Sequence, residues 1–249
     1  MKNILVYFFL ISLLLGCENT KERIPDNQQV SSEQVNPDIP ENSMPQPDDE
    51  ENEEEEEPEK QKYPKITNEN VVEFLTNYGK ENPETKVLLK TKKGDIEIEL
   101  YKDTPLHRAN FIYLVKQGYF DKTFFHRVVP DFIIQGGNSD LVSTQRKRSE
   151  LGKDYLLPAE IIRGRIHEYG TVSGAKEYRD NPDHRTAPYE FFIFLGPSSS
   201  ATHLNGSYTI FGRVSKGMDV VKIISELETD NSEWPIDNIF ITAEVLSSN

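Results

Sequence analysis

Apolar and polar side chains alternate along two neighbouring segments near the middle of the chain. In Asp95–Tyr101 isoleucine and leucine alternate with glutamate, and the apolar run Val87–Thr91 precedes this segment across a turn that contains Gly94. A two-residue period on both sides of such a turn is typical of a β-hairpin with one buried face. The same criteria predict six further strands at Thr123–Val129, Phe132–Gly136, Gly170–Gly174, Glu190–Leu195, Tyr208–Val214 and Asn238–Leu246.

Three segments have helical patterns. Thr67–Tyr78 begins at a polar cap and places its apolar residues on one face, so a short helical extension is predicted within residues 63–85. A second helix begins at Pro105, and a third covers Met218–Glu226. Eight strands, mostly antiparallel by connection length, and two main helices favour a mainly β fold, a closed barrel with the helices as caps. The pattern alone does not distinguish a barrel from a sandwich.

The first 17 residues have the pattern of an export signal. Lys2 precedes an apolar run, Ile4–Leu15, which is too short to cross a bilayer at ~20 residues but suits the core of a signal peptide. The last two residues of this run and the two that follow it form the segment Leu14–Cys17, which resembles a bacterial lipobox. The resemblance implies a signal peptide over residues 1–16, lipidation of Cys17, and anchoring in the bacterial cell envelope, facing the periplasm or the exterior. An ordinary signal peptide with an incidental cysteine is the alternative.

Residues 17–62 are predicted to be a disordered acidic linker behind the lipid anchor. Residues 18–62 carry 16 acidic and 4 basic side chains, and Asp48–Glu59 alone holds ten carboxylates. A segment with so little apolar surface cannot offset the entropy lost on ordering. We interpret it as a spacer rather than a calcium site, because no turn brings the carboxylates together.

The remaining residues, 63–249, carry a net charge of only −3 out of −14 for the whole chain. A nearly neutral folded part lacks the clustered positive charge that nucleic-acid binding requires. The one basic run, Arg146–Arg148, is expected to be a solvated loop. The five histidines have no metal-ligand spacing, so we predict neither a metal nor any other cofactor.

Residues 125–137, with the sequence FHRVVPDFIIQGG, closely resemble the signature of the cyclophilins, a family of peptidyl-prolyl cis–trans isomerases. Gly170–Ala175, Glu190–Ile193 and Leu204–Val214 resemble three further segments of that family in the same order. The resemblance spans about residues 86–247. It implies that residues 86–249 form a cyclophilin-like domain, and that the fold is the eight-stranded barrel rather than a sandwich.

The chemistry of this reaction requires no nucleophile. Amide resonance opposes rotation of the peptide C–N bond with a barrier of ~18–20 kcal/mol. A donor aimed at the nitrogen of the twisted amide stabilises the transition state more than the planar ground state. The resemblance implies that Arg127 is this donor, that Gln135 orients it, and that Phe132 completes the catalytic group. The implied substrate-binding residues are Ile133, Ala175, Lys176, Phe192, Leu204, Tyr208 and His203.

Several positions depart from the family pattern. His203 replaces a common tryptophan, Tyr208 a histidine, Lys176 an asparagine and Glu190 a glutamine, whereas Gly174 replaces a methionine and removes bulk beside the groove. The charged segments 138–169 and 176–189 also differ. We expect these changes to alter which substrates enter.

The expected partners are proline-containing unfolded or flexible polypeptides, which a monomeric enzyme would isomerise during the folding of extracytoplasmic proteins. The alternatives are a proline-binding module or chaperone in which turnover is incidental, and a structural lipoprotein that retains only the fold. Contact with the membrane is expected through the lipid anchor only.

Overall fold

The computed structural model describes residues 63–176 and 180–247. The predicted signal peptide, the lipidated Cys17 and the acidic linker therefore lie outside the described residues. Within the described part of the chain, no helix has the length and apolar character needed to span a bilayer.

Eight antiparallel strands close into a barrel in the order β1-β2-β7-β5-β6-β4-β3-β8, with β8 returning to β1. This confirms the predicted barrel and excludes the sandwich. The strands are β1 Lys86–Thr91, β2 Gly94–Leu100, β3 Thr123–Val129, β4 Ile133–Asn138, β5 Thr171–Gly174, β6 Phe191–Phe194, β7 Ile210–Lys216 and β8 Phe240–Val245.

Two helices pack against the barrel as predicted: α2, Pro105–Lys116, and α4, Met218–Ser225. Every residue of α2 from His107 to Val115 is buried, so this helix is enclosed on all sides. The extension helix α1 covers Val71–Glu81 and packs on α2. It begins later than the sequence pattern indicates because the Asn70 side chain accepts the Thr67 N–H at 2.8 Å and closes a turn before the helix.

A further helix, α3, covers Val142–Leu151 within the segment that the sequence indicated only as a charged loop. Thr144 is its only fully buried residue. Because the helix buries so little of its surface, it leaves no apolar period in the sequence.

Strand β6 separates two apolar clusters. Phe191 and Ile193 lie in the main core, which fills the barrel and the space beneath the helices. Phe192 and Phe194 lie in a second, smaller cluster. Successive side chains of a strand point to opposite faces. The unbroken apolar sequence of β6 therefore supplies apolar side chains to both faces of the barrel wall. The second cluster forms one wall of the site described next.

Candidate active site

An apolar pocket lies over the second cluster. Its walls are strands β4 and β6 together with the segment that follows β6, which contains a 3₁₀ turn at Ser198–Ala201. The N–H groups of Leu204 and Tyr208 donate to Ala201 and Leu204 carbonyls at 2.8 and 3.0 Å and fold this segment over the strands. The side chains that line the pocket are Phe132, Ile133, Phe192, His203, Leu204 and Tyr208.

Aromatic rings give this pocket its shape. Phe132 and His203 stack with their ring centres 5.7 Å apart, and Phe192 meets Tyr208 edge to face at 5.6 Å. Such contacts hold the rings in place before any ligand arrives. The aromatic pocket is therefore an apolar part of a larger groove of about 940 Å³.

Arg127 and Gln135 lie beside this pocket and directly opposite one another. They are register partners on β3 and β4, and both line the groove. The eight-residue separation in the sequence is bridged by a tight turn, in which the Phe132 N–H donates to the Val129 carbonyl at 3.1 Å. The strand pairing thus brings a permanent cation and an amide to the rim of one apolar space.

The guanidinium of Arg127 is held from outside the groove. Its Nε donates to Glu233 Oε2 at 2.6 Å, and the Arg127 side chain is 30 % exposed. Glu233 adopts φ +64° in a turn between α4 and β8, and its carbonyl accepts the Val128 N–H at 2.8 Å. With Nε occupied, the two Nη groups form no hydrogen bond with the described residues and are available to a ligand.

Gln135 is held by a half-buried carboxylate. Its Nε2 donates to Glu190 Oε2 at 2.9 Å, while Arg148 Nη2 donates to Glu190 Oε1 at 3.3 Å and His126 Nε2 lies 3.4 Å from Oε2. Burial raises the pKa of Glu190, but hydrogen bonding and charge from His126, with Arg148 and Gln135, outweigh it and lower the pKa overall. A carboxylate only accepts hydrogen bonds, so Glu190 bonds the Nε2 of Gln135 and not its Oε1. The amide Oε1 therefore remains available to other partners.

Ala175 and Lys176 form the opposite side of the groove. The Ala175 N–H donates to the Glu190 carbonyl at 3.1 Å, and the Ala175 carbonyl accepts the Ala187 N–H at 2.9 Å. The backbone N–H and carbonyl of Ala175 are therefore both already bonded within the chain. The Lys176 Nζ lies 3.0 Å from His184 Nδ1 and 4.5 Å over the ring of Tyr208.

Comparison with known proteins agrees with this geometry. Residues 86–245 match the family described as "Cyclophilin type peptidyl-prolyl cis-trans isomerase/CLD". The chain belongs to the cyclophilin family. It is a peptidyl-prolyl cis–trans isomerase by this membership, and cyclophilins act on proline-containing polypeptides.

Relatives of the cyclophilin domain come from distant organisms. A peptidyl-prolyl cis–trans isomerase of Arabidopsis thaliana is 38% identical over 159 residues, which cover 63% of this chain and 90% of the relative. One from Acinetobacter baylyi is 36% identical over 148 residues, covering 58% and 74%. The crystal structure of a cyclophilin-type isomerase of Cryptosporidium parvum, determined in the presence of the dipeptide Ala-Pro, has a TM-score of 0.55 and 29% identity, covering 66% of this chain and 99% of that one.

The structure brings all ten predicted catalytic and substrate-binding residues to one cyclophilin groove. Sequence reasoning missed the residues that hold Gln135 and Arg127 in place. Glu190 was visible only as a departure from the family pattern, and Glu233 belongs to no motif. Within the described ranges no group of three or more potential metal ligands occurs.

The expectation that the basic run is a solvated loop is wrong. The run lies on α3, and the helix directs its side chains to different sides. Lys147 Nζ donates to carbonyls of the segment that follows α2, with Asp121 O at 2.8 Å. Arg148 is largely buried, with its guanidinium 5.3 Å from the ring centre of Tyr189. Only Arg146 is exposed as predicted.

Proposed function

We propose that this cyclophilin accelerates rotation of X–Pro bonds in extracytoplasmic proteins during folding, and that Arg127 does so by stabilising the twisted amide. The observation that carries the mechanism is the position of Arg127 beside the aromatic pocket, with its Nη groups unbonded to the described residues. The two isomers of an X–Pro bond differ by only ~0.5–1 kcal/mol, whereas the barrier between them is ~18–20 kcal/mol. Catalysis therefore requires only that the barrier be lowered.

The pocket binds the proline ring, which anchors one side of the rotating bond. Phe132, Phe192 and Tyr208 offer apolar surface to the ring, and no charged group is needed for this contact. The carbonyl of the preceding residue remains outside the pocket, so it can swing through the twisted geometry. Holding one side while the other turns converts binding energy into a lower barrier.

Arg127 donates to the substrate at the twisted geometry. As the amide twists, its nitrogen loses conjugation and regains a lone pair that accepts a hydrogen bond. A guanidinium that is already held in place needs little reorganisation when that lone pair appears. Glu233 supplies this fixation through Nε, and Gln135, held by Glu190, faces the same space.

The experiment for the mechanism compares Arg127→Ala and Arg127→Lys with the unaltered protein on an Ala-Pro-Phe peptide. We expect Arg127→Ala to lower kcat/KM by at least ~10-fold, which corresponds to about 1.4 kcal/mol of transition-state stabilisation. Lysine keeps the charge but lacks the planar array of donors, so Arg127→Lys should recover only part of the rate. Equal rates for all three proteins would remove Arg127 from the mechanism.

The second candidate is a proline-binding module whose turnover is incidental. The aromatic pocket favours it, because the pocket can hold a proline ring without Arg127. The two candidates differ in what Arg127→Ala does in a refolding assay on a proline-limited protein. Loss of acceleration with unchanged peptide binding supports the enzyme, whereas unchanged protection of the unfolded protein supports the module.

The location of this activity rests on the N-terminal sequence. We propose that residues 1–16 are removed, that Cys17 carries the lipid, and that residues 17–62 space a monomeric isomerase domain from the membrane. The support is the short apolar run that ends in Leu14–Cys17 and the acidic composition that follows it.

A further inference from the structure

The groove extends from the proline pocket to a second end beyond Gln135. The hydrogen-bonded series Gln135–Glu190–Arg148 connects the two ends, and the second end is lined by Arg148, Lys153, Tyr155, Asn181 and Tyr189. The groove is much larger than a proline ring requires. A bound segment therefore meets side chains on both sides of its proline.

Cations dominate the charged side chains of the groove. Arg127, Arg148, Lys153 and Lys176 line it, and Glu190 is its only carboxylate among the described residues. The chain as a whole carries a net charge of −14, so this excess of positive charge is local to the groove.

Among the described residues, two of these cations have no carboxylate partner. Arg127 is paired with Glu233 and Arg148 with Glu190. In contrast, neither Lys153 nor Lys176 forms an ion pair with any carboxylate of the described residues. Both lysines therefore line the groove with no charge compensation from the described residues.

The position of Lys176 is the more informative. Its Nζ lies 4.5 Å over the ring of Tyr208, at the edge of the proline pocket, and 3.0 Å from His184 Nδ1. Burial lowers the pKa of Lys176, because its charge is partly withdrawn from water, and no carboxylate of the described residues pairs with it. A carboxylate that entered the groove would supply that charge.

We infer that the groove selects proline segments that carry an aspartate or glutamate within roughly two residues of the proline, a reach set by the ~3.3 Å rise per residue of an extended chain. The inference rests on the proposed function in taking the aromatic pocket as the proline site. It assigns to Lys176 and Lys153 a role in substrate choice. It leaves the rotation itself to Arg127.

The test measures binding of acetylated, amidated peptides that differ in one side chain. Ac-Ala-Xaa-Pro-Phe-NH₂ and Ac-Xaa-Ala-Pro-Phe-NH₂, with Xaa as Glu, Gln or Lys, place the charge at either of two positions and carry no other charge. In at least one series we expect Glu to bind about fivefold more tightly than Gln, and Lys more weakly, as for unit charges about 4 Å apart in water. The difference should shrink as salt is raised from about 0.01 M to about 1 M, because screening shortens from about 30 to about 3 Å.

Charge-reversal variants locate the effect. Lys176→Glu and Lys153→Glu, made separately, should each weaken or invert the preference for Glu over Lys. Lys102→Glu makes the same charge change at an exposed residue that does not line the groove, and it should leave the order of affinities intact. If both groove variants change the preference in the same direction, misfolding of one of them does not explain the result.

The possible results separate this inference from the proposed function. Exchange rates of the Gln peptides, measured by NMR in the same samples, report isomerisation. Equal affinities for Glu, Gln and Lys with normal isomerisation overturn the charge selectivity and leave the enzyme in place. Ordered, salt-sensitive affinities without rate enhancement support the selectivity and count against the mechanism. A preference for Glu that survives in both groove variants overturns the assignment to these lysines.

Discussion

At the scale of single residues, the site depends on how two side chains are held. Arg127 and Gln135 have the chemistry that the reaction needs, but each would have many rotamers if it were unsupported. Glu233 and Glu190 restrict them through hydrogen bonds of 2.6 and 2.9 Å. Glu233 itself is held in a left-handed backbone conformation by its turn. Local strain of this kind persists where the surrounding structure requires it.

Removing the support of Arg127 should impair the reaction without emptying the pocket. We expect Glu233→Ala to lower kcat/KM by at least about tenfold, since a hydrogen bond to a charged group contributes about 1.5–3 kcal/mol and each 1.36 kcal/mol is tenfold in rate. The loss should appear in kcat, with peptide Kd nearly unchanged. Glu233→Gln, which keeps an acceptor, should recover part of it. Peptide exchange kinetics and titrations measure both quantities.

Glu226→Ala is the matched control. Glu226 is exposed, and it forms an ion pair with Lys222 at 3.8 Å, one helical turn away. It should retain the rate of the unaltered protein. If Glu233→Ala and Glu226→Ala have the same kcat, the ion pair with Arg127 does not position the guanidinium.

At the scale of elements, the space beside β5 explains the unusual Gly174. The sequence indicated that glycine removes bulk beside the groove, but the structure fills that space with Thr186. A Cβ at Gly174 would lie 2.1 Å from Thr186 Cγ2. The Thr186 hydroxyl lies 3.0 Å from His107 Nε2 on α2, and Thr186 is fully buried. The segment around Thr186 therefore packs where a larger side chain of β5 would otherwise stand.

This packing predicts a pair of compensating substitutions. Gly174→Ala should lower the free energy of unfolding by about 1–3 kcal/mol, because the added methyl overpacks a closed site. Thr186→Ser removes the clashing Cγ2 and keeps the hydroxyl, so the double variant should be more stable than Gly174→Ala alone. Urea unfolding measures the effect. Additive losses in the double variant would show that the two side chains do not share this space.

At the scale of the whole molecule, the proposed lipid anchoring depends on a single thiol. Cys17 is the only cysteine in the chain. We expect Cys17→Ser to abolish labelling by radioactive palmitate and to move the protein from the membrane to the soluble fraction, because the chain would lose the buried acyl groups. Cell fractionation with immunoblotting measures this.

Ser12→Ala, within the apolar run, keeps the thiol and serves as the control for the signal segment. It should remain labelled and in the membrane fraction. An unlabelled wild-type protein, or a Cys17→Ser variant that stays in the membrane, would exclude lipid anchoring.

The sequence by itself determined the barrel strands, the family and the ten groove residues, because each is recorded in local periodicity or in an ordered motif. Arg127 and Gln135 are eight residues apart, and a tight turn between two strands makes them partners. The helix α3 escaped prediction because it buries little surface and so leaves no period.

Only the tertiary structure decided what holds the site and how it is charged. Arg127 and Glu233 are separated by 106 positions, and Gln135 and Glu190 by 55. Such pairs meet only when distant strands become neighbours, β4 beside β6 and β3 beside β8, and no local pattern records those pairings. The tertiary structure also places Arg148 against Glu190, whereas Lys176 has no carboxylate partner among the described residues. The charge of the groove therefore depends on which side chains the fold brings together.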